Sequence, residues 1–552
     1  MDENLDDNAI REIEEILDTK IYPGTEIMKD VGAHHFVKSN QGNSNSNVLI
    51  PQPSDDPHDP LNWTPKWKSI AIVCSIYLAF SLNLGPLALA PMFEYYIMEW
   101  DRSLADVVQF TGIAILILGF SNFFWVPISV CFGRRPVFIF STLICIASSI
   151  WRAKATSYDS FLGACILNGF AAGPCETVPP QVITDLIFLH DRGKYNTLYF
   201  SFYFLSLTVG PIISGAMAFH VGWRSFWWFN TALLVFGLLL HVFLFPETRY
   251  TRTPPPERSA ISPAKEAIEP DEKMTALQET EAPKVDSSND EALGHSQTHE
   301  DPWLGRGKPG KGNFKLWQPY EGSLWREFWV PWYLHGFPIP EFAAFVVSWS
   351  ASCYLVANLT QTQAFTAPPY SYSSQTIGLF NLAILIGGLI GLFTCGPFSD
   401  WTAAYLTKKN NGVREPEMRL VAMIPYVAIL IVGSAVTAVG YDYHWAWPII
   451  VVLGYGALGI QVSALPSIAS TYAIDSYKPA TGSLFVMITV NKNVWGYGLS
   501  KFITEWAEEV NYRAPILLNM GLSVLWCLCA IIFWFYGKKF RSLTKNSLVH
   551  KL

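Results

Sequence analysis

Charge is the first thing this sequence has little of. Of its 552 residues only 15% are Asp, Glu, Lys or Arg, where a soluble globular protein averages about 25%. The 38 basic residues fall short of the 45 acidic ones, leaving a net charge of −7. No basic patch comes with base-stacking aromatics, so the balance speaks against a nucleic-acid binder. With 50% hydrophobic and 15% aromatic residues, the chain is neither disordered nor collagenous, and it is no disulfide scaffold. Its 9 cysteines (Cys74, Cys131, Cys145, Cys165, Cys175, Cys353, Cys395, Cys527 and Cys529) lie in or beside apolar stretches. They lack metal-ligand spacing and read as buried free thiols. A Walker motif is missing, which argues against ATP-driven pumping, and no P-loop or Ser-His-Asp set suggests an enzyme. Neither a metal nor a cofactor is expected. The chain starts polar and acidic, without a basic-then-apolar leader, so its first apolar span is expected to direct insertion.

Where the charges are missing is more informative than how many there are. Ser69 to Phe93, Val107 to Gly133, Tyr195 to Trp223 and Ser225 to Pro246 hold no Asp, Glu, Lys or Arg. Phe342 to Ser399, Leu420 to Tyr441, Tyr443 to Ile474 and Ala514 to Gly537 repeat the pattern. An apolar helix of ~20 residues crosses a ~30 Å hydrocarbon core. The long Phe342–Ser399 run is cut near Ala367-Pro368-Pro369-Tyr370, where proline breaks helix. Twelve spans result: 67–92, 106–130, 136–155, 159–188, 196–219 and 224–245, then 333–361, 375–398, 419–440, 445–472, 481–505 and 514–537. The fold class is therefore an all-α membrane protein of twelve transmembrane helices in two six-helix halves.

Around these spans the expected organisation is a polar head (1–66), a first half (67–246), a central loop (247–330), a second half (331–537) and a tail (538–552). The core of the central loop, Thr251 to Asp301, is rich in Pro, Glu, Ser, Thr and Lys. It reads as a largely disordered tether. Arg134, Arg135, Arg192, Lys194, Lys408, Lys409, Arg414 and Arg419, with the basic tail, fall on one side of the membrane. Positive loops stay inside, so both termini are expected in the cytoplasm. Arg152 and Lys154, near loop 3–4, run against that bias.

Several motifs sit where span ends are expected. They are Ile50-Pro51-Gln52-Pro53-Ser54-Asp55-Asp56-Pro57-His58-Asp59-Pro60-Leu61-Asn62-Trp63 before span 1, Gly133-Arg134-Arg135-Pro136 after span 2 and Gly210-Pro211-Ile212-Ile213-Ser214-Gly215 in span 5. Gly396-Pro397-Phe398-Ser399-Asp400 follows span 8, and Arg414-Glu415-Pro416-Glu417-Met418-Arg419-Leu420 precedes span 9. In this order they resemble a fungal member of the major facilitator superfamily, in its twelve-span drug:proton antiporter group. The pre-span signature, with Gly169, Glu176 and Asp185 in span 4, is also similar to histidinol and polyamine uptake carriers. The chain departs from the family pattern where the loop 2–3 motif has Val126, Val130 and Cys131 at its first three fixed positions, so its acid is missing. A second departure is Cys165, with Asn168-Gly169 behind it, where span 4 normally carries an Arg tied to proton coupling.

The residues that could carry chemistry are the polar ones placed deep in the spans. Glu176 lies about halfway along span 4. A carboxyl there costs ~2.5–3.5 kcal/mol or more unless paired or wetted. Desolvation would let it trade a proton near neutrality; the alternative is a structural carboxyl. Lys492, in mid-span 11, is the second candidate, for substrate binding or gating or else as a structural anchor; it could pair with Glu176 across the halves in one state, though the sequence supplies only its depth. Glu341, two turns into span 7, could guard the inner cavity. Asn83, Asn168, Tyr203, Trp349, Asn381 and Gln461 could shape a pocket or act as interhelical glue. Gating positions are Arg134, Arg135, Asp185, Gly210, Pro211, Gly215, Gly396, Asp400 and Asp475. Asn358-Leu359-Thr360 is a glycosylation sequon lying too near the membrane to be used.

Together these expectations describe a proton-coupled secondary transporter. It would move a small organic molecule through the bilayer by alternating access between two halves. Export of a drug-like compound or secondary metabolite is favoured, with uptake of an organic cation such as a polyamine as the alternative. A non-transporting membrane sensor is the remoter reading. A monomer in the plasma membrane is expected, with substrate, protons and lipid as its partners.

Overall fold

The computed structural model of the chain describes residues 56–251, 303–477 and 480–545, with positions 14, 20, 22, 24–27, 54 and 547 besides. The first half comprises α1 (Pro65–Leu87), α2 (Phe93–Trp100), α3 (Leu104–Phe132), α4 (Arg134–Lys154), α5 (Tyr158–Ala172), α6 (Pro174–Leu186), α7 (Leu189–His220) and α8 (Trp223–Phe243). Then follow α9 (Leu324–Leu334), α10 (Pro338–Thr366), α11 (Ser374–Lys409), α12 (Ile424–Asp442), α13 (Gly456–Ser476), α14 (Thr481–Ser500), α15 (Ile503–Glu509), α16 (Arg513–Leu528) and α17 (Ala530–Thr544). Among the described residues the chain is all-α apart from a ribbon in which the two-residue strands β1 (Glu26–Ile27) and β2 (Val413–Arg414) pair antiparallel.

Eleven helical stretches among the described residues are long and apolar enough to cross a membrane. The expected span 11 is present as α14, a helix of 20 residues, but Asn491, Lys492 and Asn493 make it too polar to qualify. Helix starts follow local chemistry. Ser103 caps α3 in a reciprocal capping box with Asp106, and the Ser373 hydroxyl accepts from the Thr376 N–H at the head of α11. Span 8 is longer than expected, with Lys408 and Lys409 in the last turn of α11 and not in a loop. Span 7 is central, with 89% of its apolar window buried, and span 12 is peripheral with 33%.

Both ends of the central segment lie on one face of the bundle, here the linker face; the far face is opposite. Toward the far face the apolar core is continuous between the halves, joining Leu84, Phe110 and Trp227 to Phe365, Tyr441 and Leu458. Toward the linker face the first half packs as a core of its own around Leu78, Phe138, Val182 and Tyr199. One small shared cluster, Phe123 and Val126 with Val486 and Val490, bridges spans 2 and 11 there. Glycines let backbones meet between the halves: a methyl group on Gly378 would come within 2.8 Å of the Pro211 carbonyl oxygen.

Of the stretch expected as a tether, Thr251 to Asp301, only Thr251 is among the described residues. Residues 252–302 lie outside the described residues, but 303–330 is docked on the first half. Gln318 and Glu321 donate their N–H groups to the carbonyls of Phe132 and Cys131 at 3.2 Å each, and Gly307 donates to Asn62 at 2.9 Å. Trp317 and Tyr320 pack on Phe132. The α9 helix then stacks Trp332 on Phe123 at 4.6 Å while leaving Trp325, Trp329 and Tyr333 exposed, as an interfacial helix does.

Candidate functional site

Span 4 is one helical stretch, Tyr158–Leu186, as expected, with a local irregularity at Gly173, whose backbone stays α-helical. At Gly173 the helix meets α3 closely: a methyl group would sit 3.1 Å from the Leu118 carbonyl oxygen and collide with the Ser121 hydroxyl. Pro174 then opens α6 at its first position, where its missing N–H leaves no bond unmade. Glu176 lies just past this irregularity, about halfway along the stretch, with its N–H donating to the Gly173 carbonyl at 3.3 Å. The Tyr199 hydroxyl ties this turn to span 5 by donating to the carbonyls of Cys175 at 3.0 Å and Glu176 at 3.3 Å.

Glu176 and Lys492 meet. The Lys492 Nζ lies 2.7 Å from Glu176 Oε1, and the Tyr203 hydroxyl donates to the same oxygen at 2.6 Å. The ammonium is 3.4 Å from the Tyr203 oxygen and 5.9 Å from that ring's centroid. Glu176 and Tyr203 belong to the first half and Lys492 to the second. The Glu176 side chain is 8% exposed and that of Lys492 20%, so the pair is largely withdrawn from water. Glu176 Oε2 is buried without a hydrogen-bond partner. Three residues singled out by depth or aromatic character alone therefore form one cluster at the seam between the halves.

The other pocket candidates scatter. Glu341 lies in the first turn of α10, nearer the linker face than expected because the helix starts at Pro338. There it meets the His335 Nδ1 at 2.9 Å and takes no part in the cluster. Asn83 donates to the Ser206 hydroxyl at 3.2 Å, and Asn168 to Cys145 Sγ at 3.1 Å, both within the first half. Asn381 donates to Gln361 at 3.4 Å. Gln461 accepts from the Ser350 hydroxyl at 2.7 Å and donates to its carbonyl at 3.2 Å. These four act as ties between neighbouring helices. Trp349 packs on Trp495 at 5.0 Å, with its indole N–H buried and unbonded. The sequon's Asn358 is fully buried.

Ionic ties hold the linker face. Arg134 Nε lies 3.1 Å from Asp185, and Arg135 donates to the carbonyls of Phe245 and Val242. In the second half Arg419 reaches Asp400 and Asp475, each at 2.7 Å. Gly210 packs on α1, where a methyl group would meet the Leu84 carbonyl oxygen at 2.6 Å, and Gly215 packs on the Ser374 carbonyl in the second half; Pro211 lies between them in an unbroken α7. Gly396 has open space around it, so no close approach explains that glycine.

Three residues outside the expected set matter here. Glu247, at the end of span 6, accepts from the backbone N–H groups of Arg134 and Arg135 at 2.9 Å each. Arg541, at the end of span 12, holds Glu417 and Glu415. Arg152 is no loop charge: it is fully buried in α4, its guanidinium 4.5 Å from the Trp227 ring centroid. Its guanidinium also lies beside the Cys165 thiol of α5. Being withdrawn from the loop, it is a poor guide to membrane orientation.

Helices that span a membrane in two halves, with a charged pair closing the seam at mid-depth, define a carrier of small solutes. Residues 70–500 match the model of the Major Facilitator Superfamily, and the chain belongs to that family. It is 25% identical to Protein HOL1 of Saccharomyces cerevisiae over 552 residues, covering 90% of this chain and 91% of that one. An uncharacterized MFS-type transporter of Schizosaccharomyces pombe, C1271.10c, is 24% identical over 522 residues, with 90% and 88% covered. A probable efflux pump of Aspergillus flavus, mfs2, is 22% identical over 460 residues, with 83% and 100% covered.

Proposed function

We propose that this chain is a proton-coupled carrier that moves a small organic molecule by alternating access, with Glu176, Tyr203 and Lys492 as its coupling site. The observation that carries the reading is the 2.7 Å pair of Lys492 and Glu176 across the seam. Breaking such a pair by removing one charge costs about 3–5 kcal/mol, so a proton arriving on Glu176 would unlock the halves from each other. One charge crossing 100 mV supplies ~2.3 kcal/mol, enough to drive a substantial solute gradient. Export of a drug-like compound or secondary metabolite from the cytoplasm, across the plasma membrane, is the favoured direction; the similarity to a probable efflux pump supports it. Uptake of an organic cation is the second reading, supported by the buried, unpartnered Glu176 Oε2.

The test is accumulation of labelled compounds in cells lacking their own carriers, comparing wild type with Glu176→Gln, with and without a protonophore. Lowered accumulation that the protonophore restores identifies export. Raised accumulation of a cation that the protonophore abolishes identifies uptake. Either effect should disappear in Glu176→Gln; a variant that behaves as wild type removes Glu176 from the mechanism.

A further inference from the structure

We propose that the second half holds one water molecule inside the membrane, in a cavity between spans 7, 9, 10 and 12. The cavity has a volume of about 10 Å³ and is lined by Cys353 and Ala357 of span 7, Ser434 and Thr437 of span 9, and Ile516 and Asn519 of span 12. A space of ~10–15 Å³ is the least that admits a water. Ser434, Thr437 and Asn519 are all buried, and the two ends of the Asn519 amide fare differently. Its Nδ2 donates to Cys353 Sγ at 3.0 Å, while its Oδ1 has no hydrogen-bond partner among the described residues. An amide oxygen left unmet in a hydrocarbon setting is costly.

The other two oxygens complete the site. Thr437 donates its own proton to the Gly433 carbonyl at 2.9 Å, which leaves its lone pairs to accept. A water can donate to Asn519 Oδ1 and to Thr437 Oγ1 and accept from the Ser434 hydroxyl. Three bonds are what a buried water usually makes. No carboxylate lines the cavity, so the three neutral oxygens suit water and not a cation, whose charge would stay unbalanced. The water also extends a network begun beside it. Cys353 Sγ meets the Ser523 hydroxyl at 3.2 Å, and Ser523 donates to the Trp349 carbonyl at 2.9 Å. Span 7 is thus bonded to span 12 by side chains and to span 9 through the water. Lipid gives helices no hydrophobic reason to associate, so such ties matter most for a peripheral span like the twelfth.

The experiment is hydroxyl-radical labelling by X-ray radiolysis of the full-length protein in lipid nanodiscs, read by mass spectrometry. A bound water is split where it sits and oxidises the side chains that touch it, here Cys353 and Ile516. Cys74 and Cys395 are also buried but do not line the cavity, so they report the background. Cys353 should be labelled several-fold faster than either of these thiols, with Ile516 labelled alongside it. Ala357→Val fills the cavity, and Asn519→Leu removes the acceptor at similar volume. Each should bring Cys353 down to the background rate while the helical signal stays unchanged. If one variant does not fold, the other decides. Background labelling of Cys353 in wild type means a dry cavity and overturns the proposal. Labelling that survives either substitution overturns it too. So does labelling that falls when sodium replaces potassium in the buffer, which would make the occupant a cation.

Discussion

At the linker face the two halves solve one problem with opposite charges. In both, the end of the last span is tied to the loop after the second. In the first half the end of span 6 brings an anion: Glu247, 1% exposed, accepts from the N–H groups of Arg134, Arg135, Thr248 and Arg249. In the second half the end of span 12 brings a cation: the Arg541 side chain, 1% exposed, binds Glu417 at 2.9 Å and Glu415 besides. The neighbouring Arg–Asp tie keeps its sign, as Arg134 with Asp185 and Arg419 with Asp475. Topology demands a polar knot where two helix ends converge, and the knot's sign is free. Hence the loop motif's missing acid in the first half, where Val130 stands, leaves no hole: Glu247 arrives from another element.

The largest effect is expected at Arg541. Arg541→Met leaves Glu417, whose side chain is 6% exposed, as a buried unpaired anion, at a cost of about 3–5 kcal/mol. Arg541→Met with Glu417→Met should recover most of that loss, because an apolar pair replaces a buried ionic one at little cost. Thermal unfolding of the purified protein measures both, and a double variant no better than the single would refute the knot. Glu247→Gln comes next, at about 1.5–3 kcal/mol, since Gln keeps one acceptor but loses the charge. A loss at Glu247 as small as at a surface site would mean that the two knots are not equivalent. Within the second half, Asp475→Asn should cost more than Asp400→Asn. Their side chains are 27% and 67% exposed, and an exposed pair contributes about 1 kcal/mol at most. The reverse order would place the tie at Asp400.

How much of this is legible in the sequence depends on whether the signal is local. The spans are, because a missing charge over 20 residues is a property of one segment. The depth of Glu176 and Lys492 is legible for the same reason: each is a lone charge in an apolar run. That they touch is not, since contact depends on how two halves pack across 316 residues of chain. The docking of 303–330 is not legible, because Trp317 and Tyr320 find their partner, Phe132, on another element. Glu247 and Arg541 escape a motif search because their partners lie on other elements.

The smallest expected effect tests whether the first half's knot has a pH-sensitive outer clasp. Glu321 accepts from the Thr251 hydroxyl at 2.6 Å and pairs with Arg249 at 2.8 Å. The Thr251 hydrogen bond, with Arg249 beside it, holds its carboxyl below the usual value of 4.5. A carboxyl lowered in the folded state contributes stability above its unfolded pKa and loses it as pH falls through the folded one. The clasp should therefore be intact at neutrality and open only below 4.5. With the Glu321 side chain 52% exposed, solvent screens most of the gain, so the readout must be local. Gln318 and Glu321 donate their amides to the end of α3, and their hydrogen-exchange protection reports the clasp directly. Wild type should lose protection at these two amides as pH falls below that value, whereas Glu321→Gln should show the lower protection already at neutral pH. Equal protection in both proteins across the range would mean that the Trp317 and Tyr320 rings alone hold the segment on Phe132, with the ion pair idle.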